Sequence, residues 1–162
     1  MELPDGVAIR PAALSDLDAI VSLWLGMMRE HEAFDSRVRL GPSAGEAYEN
    51  YARHYVTRSD APVFVAEHDG EVIAFGLAYR ARNLPMFLPD HYGFLSDLVV
   101  TPSWRGRGIG TALVGEITRQ LRAQDVTHVQ LQVYHNNARA RAFWHRVGFT
   151  EFVHGLWLDI GK

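Results

Sequence analysis

Residues 98–113 read LVVTPSWRGRGIGTAL, which is an apolar strand, a glycine-rich turn and the beginning of an apolar helix. Every second residue of the turn is glycine: Gly106, Gly108 and Gly110. Because glycine has no Cβ, the backbone here can lie close to a ligand. The first turn of the following helix has unpaired N–H groups and carries about half a positive charge, and Arg105 and Arg107 add permanent charge. The segment therefore predicts a site for an anion of the pyrophosphate type.

Two better-known phosphate-binding motifs do not match this turn. A P-loop requires lysine and then serine or threonine after its last glycine, whereas Thr111 follows Gly110 directly. The dinucleotide fingerprint requires its third glycine at the position of Thr111. A surface turn that binds nothing would account for the three glycines alone, but the flanking strand, helix and arginines favour the anion site.

The rest of the chain predicts a single domain over residues 1–162, a length that suits one compact unit. Val7–Ile9 is strand-like, and two segments of helical periodicity follow it, one beginning near Ser15 and the other near Ser43. Each serine has an acidic residue three positions later, which is typical of a capping box.

After residue 62 the periodicity changes to that of strands. Val63–Ala66 and Val72–Leu77 flank Asp69-Gly70, which is a strong hairpin signal. Further strands are predicted over residues 94–100, 126–133 and, in one or two pieces, 149–160. One helix is predicted after the glycine-rich turn and another after Asn136 or Asn137, either of which would cap it. This order of strands and helices describes an α/β layered domain.

Several stretches together resemble the GCN5-related N-acetyltransferase (GNAT) family. Arg105-Gly-Arg-Gly-Ile-Gly110 matches the Arg/Gln-x-x-Gly-x-Gly/Ala loop that binds coenzyme A in that family. Asn137–Phe149, which reads NARARAFWHRVGF, matches a second family pattern, Asn-x-x-Ala-x-x-Phe-Tyr-x-x-x-Gly-Phe. The strand Leu95–Val100 and the opening Ile9–Asp16 also look like their counterparts. The resemblance therefore spans nearly the whole chain in the family's order.

The resemblance implies both a fold and an activity. The fold is the GNAT acyl-CoA N-acyltransferase fold, α/β (α+β), with a mixed central sheet of six to seven strands flanked by about four helices. The activity is transfer of an acetyl group from acetyl-CoA to a primary amine of an unidentified small molecule or peptide, by direct attack in a ternary complex. A non-catalytic acyl-CoA-binding sensor or scaffold of the same fold is the alternative, and a nucleotide-binding domain using the glycine-rich loop is a third hypothesis.

The resemblance also assigns contacts to coenzyme A. Backbone groups of the fourth strand would pair with the pantetheine arm, and N–H groups of the loop would hold the pyrophosphate. The Asn137 side chain would contact the arm, and Phe143 would pack beside it; a plain helix cap is the alternative role for Asn137. The cofactor-binding residues are then Leu98, Val99, Val100, Arg105, Gly106, Arg107, Gly108, Ile109, Gly110, Thr111, Asn137, Ala140 and Phe143.

Asp97 is the predicted catalytic base. An amine attacks a thioester only when neutral, and a free alkyl ammonium has a pKa of about 10.4, so a base must take its proton. Ser96 and Asp97 are adjacent polar residues in an apolar strand, which suits a β-bulge beside an active site. We expect Asp97 to take the proton itself or to orient a water that does. The alternative is that Asp97 hydrogen-bonds the backbone at the bulge.

Tyr134 is the predicted catalytic acid. In many relatives the tyrosine of the Phe-Tyr pair protonates the leaving thiolate, but here the pair is Phe143-Trp144. An indole N–H is a hydrogen-bond donor and not a usable acid. Tyr134 would substitute, with His135 or water as alternatives. Because a thiol of pKa about 8.5 leaves readily, loss of the acid need not abolish activity.

Two segments are predicted to flank the acceptor mouth in this fold, one after the first helix and one before the fourth strand. Their residues predicted to bind substrate are His31, Glu32, Asp35, His91 and Tyr92. The carboxylates of Glu32 and Asp35 would attract a cationic amine, although a polar helix end is the alternative explanation for them.

Composition excludes several other classes of function. The net charge is −3 without a basic run, which argues against nucleic-acid binding. There is no cysteine, and the eight histidines include no close metal-ligand pair, so no metal site is predicted. Neither a signal peptide nor a membrane-spanning stretch is visible, so a cytoplasmic protein with no membrane partner is expected. Trp157 is either a core residue or a contact of a homodimer.

Overall fold

The computed structural model describes residues 3–161, which contain five strands and four α-helices. The elements are, in chain order, β1 (Val7–Pro11), α1 (Leu17–Phe34), α2 (Ala44–Val56), β2 (Val63–His68), β3 (Glu71–Arg82), β4 (His91–Val100), α3 (Ile109–Arg122), β5 (Val129–Gln130) and α4 (Ala138–Arg146). Short 3-10 turns precede α1 and α3. The chain up to Gln132 forms one compact unit, and the chain from Val133 onward forms a second.

The first unit is built on one mixed sheet in the order β1-β2-β3-β4-β5. Strands β1 to β4 pair with one another in antiparallel fashion, and β5 pairs with β4 in parallel fashion. The β2–β3 hairpin turns at Asp69 and Gly70, whose φ angles of 50° and 80° are the positive pair that a type I′ turn requires. The hairpin and the predicted fold class, a mixed sheet with four helices, are confirmed.

The sheet has five strands and not the six to seven expected. The predicted strand over 126–133 is reduced to Val129–Gln130, and no described residue after Gln130 belongs to a strand. A strand requires a neighbour to pair its N–H and C=O groups, and β5 pairs with β4 only at Gly93 and Phe94. The strand expected within 149–160 is not found among the described residues, where Leu156 is 98% exposed. Periodicity alone therefore did not identify a pairing partner.

The capping box predicted at Ser15 is also wrong. A 3-10 turn, Leu14–Asp16, precedes α1, and Asp16 Oδ2 accepts a hydrogen bond from the Ala13 N–H at 2.7 Å. Asp16 is held in place by Arg10, whose Nη1 lies 2.7 Å from the same oxygen. Ser43 does occupy the N-cap position of α2, but its side chain makes no capping hydrogen bond.

The sheet of the first unit is covered on both faces. On one face α1 and α2 pack against β3, around a core that includes Ile20, Ala52, Phe75 and Leu77. On the other face α3 packs across β2, β3 and β4 through its own buried side chains: Ile109, Leu113, Val114, Ile117 and Leu121. Functional side chains of β4 can therefore face either the α1–α2 layer or the α3 layer.

Close packing of α3 and β5 on β4 depends on the absence of a side chain at Gly93. A Cβ there would lie 2.7 Å from Leu121 Cδ1, 3.1 Å from Val129 Cγ2 and 3.4 Å from Val126 Cγ1. Leu121 and Val126 are buried, and β-branched valines have little rotamer freedom with which to yield.

We expect Gly93→Ala to lower the free energy of unfolding by about 1–3 kcal/mol, because overpacking displaces these side chains. Urea unfolding measures the change. The matched control is Gly26→Ala in α1, where an added Cβ meets no described atom within 4 Å; alanine there should stabilise the helix by about 0.5–1 kcal/mol. Equal stability of Gly93→Ala and the wild type would contradict this packing.

Candidate functional site

A one-residue β-bulge at Ser96 and Asp97 shapes the middle of β4. Leu77 of β3 pairs with Asp97, but the next residue, Ala78, pairs with Leu95, so Ser96 is the extra residue. Without a bulge, adjacent side chains would point to opposite faces of the sheet. Here both side chains lie against the α1–α2 layer: Ser96 contacts Tyr51, and Asp97 contacts Tyr48. The predicted bulge is confirmed.

Asp97 is a buried carboxyl group, 7% exposed. Its Oδ2 accepts a hydrogen bond from Ser96 Oγ at 2.7 Å. Burial raises the pKa of Asp97 above that of an ordinary aspartate, and the polar groups of Ser96, Tyr48 and Trp24 partly oppose this rise by stabilising the charge. A carboxylate with a raised pKa is a stronger base, which suits proton transfer near neutral pH.

The aromatic side chains that surround Asp97 were not predicted from the sequence. Trp24 of α1 stacks on Tyr48 of α2 with ring centroids 4.1 Å apart, and Tyr48 is almost fully buried. Burial also raises the pKa of the Tyr48 phenol. Tyr51 donates to Ser96 Oγ at 2.9 Å. The tyrosines recur at helical spacing, which predicted an apolar stripe; their hydroxyl partners could not be read from that spacing.

The backbone of β4 beyond the bulge faces an open edge. Antiparallel strands point alternate backbone groups at each neighbour. Thr101 N–H donates to the Ile73 carbonyl at 3.0 Å, so by alternation the backbone groups of Leu98 and Val100 point away from β3. Arg105 Nε reaches the Val100 carbonyl at 2.8 Å from that side.

The parallel pairing between β4 and β5 ends at Phe94. Among residues 3–161, no strand therefore covers the outward edge of β4 from Leu95 to Val100. Its backbone groups are available to an extended ligand that adds to the sheet as a strand would.

The glycine-rich loop has the geometry of an anion cradle. Gly106 and Gly108 have φ angles of 77° and 85°, in the left-handed region that favours glycine. Gly108 is the N-cap of α3, and the first N–H bonded back to it is that of Ala112, at 3.0 Å. The N–H groups of residues 109–111 therefore lie in the helix turn that has no intrahelical acceptors. Together with the helix dipole, these N–H groups have the arrangement that suits pyrophosphate oxygens.

The two arginines of the loop have different surroundings. Arg105 is tied to the protein by the Val100 carbonyl and by Glu30 of α1, whose Oε1 lies 2.7 Å from its Nη2. Arg107 is exposed, and its guanidinium lies over the Trp104 ring, 4.8 Å from the centroid. Arg105 thus fixes the loop against α1 and β4, whereas the Arg107 charge faces solvent.

The remaining predicted cofactor and catalytic residues belong to the second unit. Asn137 is the N-cap of α4, and its Oδ1 accepts from the Ala140 N–H at 3.0 Å. The alternative role foreseen for Asn137, a helix cap, is therefore observed. Phe143 packs edge-on to Trp144 with centroids 4.8 Å apart. Tyr134 is 41% exposed, four residues before α4.

The predicted acceptor residues do not converge on Asp97. His91 and Tyr92 begin β4, so Asp97 lies six residues beyond His91, roughly 20 Å along the strand. Asp35 is bound by Arg37 at 2.6 Å, which holds its pKa at about 2. Glu32 Oε1 accepts the Leu40 N–H at 2.9 Å. The carboxylates of Asp35 and Glu32 are therefore both engaged by donors of the protein itself.

His31 lies nearer the loop, because it follows Glu30, the partner of Arg105. Its ring is packed edge-on to Phe34, with centroids 5.2 Å apart. Burial lowers the pKa of His31, so that the neutral form is favoured.

Comparison with known proteins identifies the family. The model of the Acetyltransferase (GNAT) family matches residues 25–149. This chain belongs to that family. An uncharacterized N-acetyltransferase of Archaeoglobus fulgidus is 29% identical over 136 residues, which are 84% of this chain and 88% of the relative. The protein is accordingly an acetyltransferase, and its cofactor is acetyl-CoA.

Solved structures share the fold of this acetyltransferase. A GCN5-related N-acetyltransferase of Ralstonia eutropha has a TM-score of 0.78 at 20% identity, over 96% of this chain and 100% of that one. A predicted acetyltransferase of Clostridium acetobutylicum, solved with acetyl-CoA, has a TM-score of 0.75 at 17% identity, over 95% and 96%. At these identities the likeness shows the fold alone.

Within residues 3–161, none of the helices is both long enough and apolar enough to cross a membrane. In the same residues, histidine, aspartate and glutamate form no cluster of three that could hold a metal ion.

The structure fits acetyl-CoA at two places in the first unit, the open edge of β4 and the turn before α3. We expect Gly108→Ala to weaken acetyl-CoA binding about five- to tenfold, because a Cβ disfavours its φ of 85° by about 1 kcal/mol or more and turns the loop N–H groups away. Isothermal titration calorimetry with acetyl-CoA measures the change.

The matched control is Gly115→Ala, on the same helix α3. An added Cβ there meets no described atom within 4 Å, so its affinity should equal that of the wild type. A folded Gly108→Ala variant that binds acetyl-CoA as tightly as Gly115→Ala would show that the loop conformation does not matter.

Proposed function

We propose that this acetyltransferase moves the acetyl group of acetyl-CoA to a primary amine of a small molecule or peptide, by direct attack in a ternary complex. The observation that carries the proposal is the buried carboxyl group of Asp97, placed by a β-bulge beside the open edge of β4. A base and a strand edge that can hold the cofactor thus lie within a few residues of each other.

Asp97 is the proposed general base. The amine arrives mostly as ammonium, since its pKa of about 10.4 lies well above neutral pH. The raised pKa of Asp97 narrows the difference between the two groups and favours the transfer of a proton to the carboxylate. The carboxylate of Asp97 also points toward the α1–α2 layer, where Tyr48 and Tyr51 form the wall of the site.

Backbone groups are the proposed main contacts to the cofactor. When bound, acetyl-CoA supplies the activated thioester carbonyl. Leu98 offers outward N–H and C=O groups to its arm, and the Val100 N–H is the donor proposed for the carbonyl oxygen, while the Val100 C=O accepts from Arg105. The Val99 backbone faces β3 by the same alternation, so its proposed part is to hold the strand in place. The loop contacts are those proposed from the sequence: Arg105, Gly106, Arg107, Gly108, Ile109, Gly110 and Thr111.

The second unit contributes further proposed contacts. The Asn137 side chain, whose Oδ1 caps α4, is also proposed to contact the cofactor arm. Ala140 and Phe143 would pack beside the arm, as the resemblance implies. Tyr134 remains the proposed acid for the leaving thiolate, supported by its phenol and its position before α4.

The residues proposed to bind the acceptor amine are supported by the structure to different degrees. His31 is supported by its place beside Glu30, at the end of α1 that binds the loop. Glu32 and Asp35 follow it along the chain, but their carboxylates already accept bonds from protein donors. His91 and Tyr92 lie at the far end of β4, where they could contact only an extended acceptor.

Three further expectations from the sequence belong to this proposal. A single domain spanning residues 1–162 is supported by the family match across both units. A cytoplasmic location is supported by the absence of cysteine. A homodimer is supported by six apolar side chains that are 68–98% exposed: Phe152, Val153, Leu156, Trp157, Leu158 and Ile160.

Release of free coenzyme A thiol with a panel of amines tests the function. The panel is spermidine, kanamycin, lysine and a tetrapeptide with a free N-terminus, each incubated with acetyl-CoA. Turnover with at least one amine supports the proposal. Tight binding of acetyl-CoA with no turnover across the panel would favour the sensor, which the replacement of the usual tyrosine by Trp144 makes the second candidate.

We expect Asp97→Asn to lower kcat at least about 100-fold at neutral pH while leaving the protein at least as stable as the wild type. The raised pKa means that the folded state binds more protons than the unfolded state between the two pKa values. The charged carboxylate therefore lowers stability above the raised pKa. This loss shrinks as the pH falls from the raised pKa toward the ordinary pKa of an aspartate, and it is absent below that ordinary value. Asparagine removes that cost and can still accept the Ser96 hydrogen bond.

The measurements are thiol release and urea unfolding at several pH values. The wild-type rate should rise with pH through the raised pKa of Asp97 and then level off. Full turnover by Asp97→Asn would refute the role of Asp97 as base, and a large loss of stability in that variant would assign Asp97 a structural role.

A further inference from the structure

Three side chains form a continuous chain of hydrogen bonds from α2 to the bulge of β4. Tyr51 Oη lies 2.9 Å from Ser96 Oγ, and Ser96 Oγ lies 2.7 Å from Asp97 Oδ2. The bulge makes this chain possible, because it turns two adjacent residues of one strand toward the same helix.

The chain has a fixed direction when Asp97 is ionised. A carboxylate only accepts hydrogen bonds, so the Ser96 hydroxyl must donate to it. The Ser96 oxygen then accepts the Tyr51 hydroxyl proton, and the Tyr51 oxygen retains its lone pairs for a donor from outside. An arriving N–H group is such a donor. The chain therefore begins with an acceptor at Tyr51 and ends with a base at Asp97.

Tyr51 is better placed than Asp97 to meet a substrate. Asp97 is buried at 7% exposure, beneath the stacked rings of Trp24 and Tyr48. Tyr51 is only partly buried and lies between two rings of the aromatic cluster, tilted against Tyr48 and edge-on to Tyr55. An amine at this surface would meet the phenol oxygen before the carboxylate.

Resting on the function proposed above, we propose that Tyr51 and Ser96 relay the proton of the attacking amine to Asp97. The ammonium N–H bond breaks as the proton moves to Tyr51 Oη. Tyr51 passes its own hydroxyl proton to Ser96 Oγ, and Ser96 passes its proton to Asp97 Oδ2. Each hydroxyl gains and loses one proton, the carboxylate becomes a carboxylic acid, and the amine keeps the lone pair with which it attacks.

The surroundings of the chain keep both hydroxyls neutral. Burial raises the pKa of the Tyr51 phenol, so it does not ionise in the working range and can only exchange protons. The titratable groups that face the chain are also phenols, Tyr48 and Tyr55 from α2 and Tyr79 from β3. α1 presents the uncharged indole of Trp24. Asp97 is thus the carboxyl group of this cluster and the group to which the proton is passed.

The test measures kcat and its pH dependence for Tyr51→Phe and Ser96→Ala, with acetyl-CoA and the panel amine that the wild type acetylates fastest. Each variant should lose about 100-fold in kcat at pH 7, with an unchanged KM for acetyl-CoA. Its rate should rise about tenfold per pH unit toward the pKa of the amine, because it uses only amine that is already neutral. The wild-type rate should level off.

Two further variants separate a relay from a structural role. The double variant Tyr51→Phe with Ser96→Ala should lose no more than either single variant, because one break interrupts the chain. Ser96→Thr keeps a hydroxyl on a residue suited to strands and should restore most of the activity.

Tyr55→Phe is the matched control. Tyr55 lies one turn further along α2 and belongs to the same ring cluster, but its hydroxyl makes no bond to Ser96. Its kcat should remain within about twofold of the wild type. Wild-type kcat and pH dependence in Tyr51→Phe would overturn the relay, and so would an equal loss in Tyr55→Phe, which would assign the effect to ring packing. A wild type that acetylates no amine would instead overturn the proposed function, and the relay with it.

Discussion

The proposed active site depends on one extra residue in β4. Opposite Leu77 the strand contains two residues where a regular ladder would contain one, and this brings Ser96 and Asp97 to the same face of the sheet. A regular strand would have pointed one of them toward α3, away from Tyr51. Without the bulge the carboxyl group would have no hydroxyl beside it on the α1–α2 side.

The position of Asp97 involves a conflict between stability and reactivity. A carboxylate in an apolar layer loses hydration, which destabilises its charged form. Ser96 supplies one direct hydrogen bond, and the polar groups of Trp24 and Tyr48 oppose the effect of burial on the pKa. This compensation is incomplete, so the pKa remains raised. Perturbed acids of this kind are concentrated at functional sites, because the same imbalance makes the group a useful base.

The proposed recognition of the cofactor by the first unit relies mainly on the backbone. The outward groups of β4 and the N–H groups at the start of α3 are available whatever the side chains are, provided that glycine allows the turn. Side chains contribute by fixing these elements. Arg105 joins the Val100 carbonyl to Glu30 of α1 and so ties the loop, the strand and the helix together. The guanidinium charge of Arg105 is therefore paired with Glu30 within the protein.

The sequence by itself determined the family, the glycine-rich turn, the β2–β3 hairpin and the bulge, because each depends on residues that are close together in the chain. Positive φ angles require glycine locally, and two adjacent polar residues interrupt an apolar strand locally. Only the tertiary structure decided the number of strands, because a strand exists only where another strand pairs with it, and β5 pairs at two residues. The partners of Asp97 also depended on packing: Tyr51 is 45 residues from Ser96 in the chain, and helical spacing showed an apolar stripe but not the hydroxyl that it presents to β4.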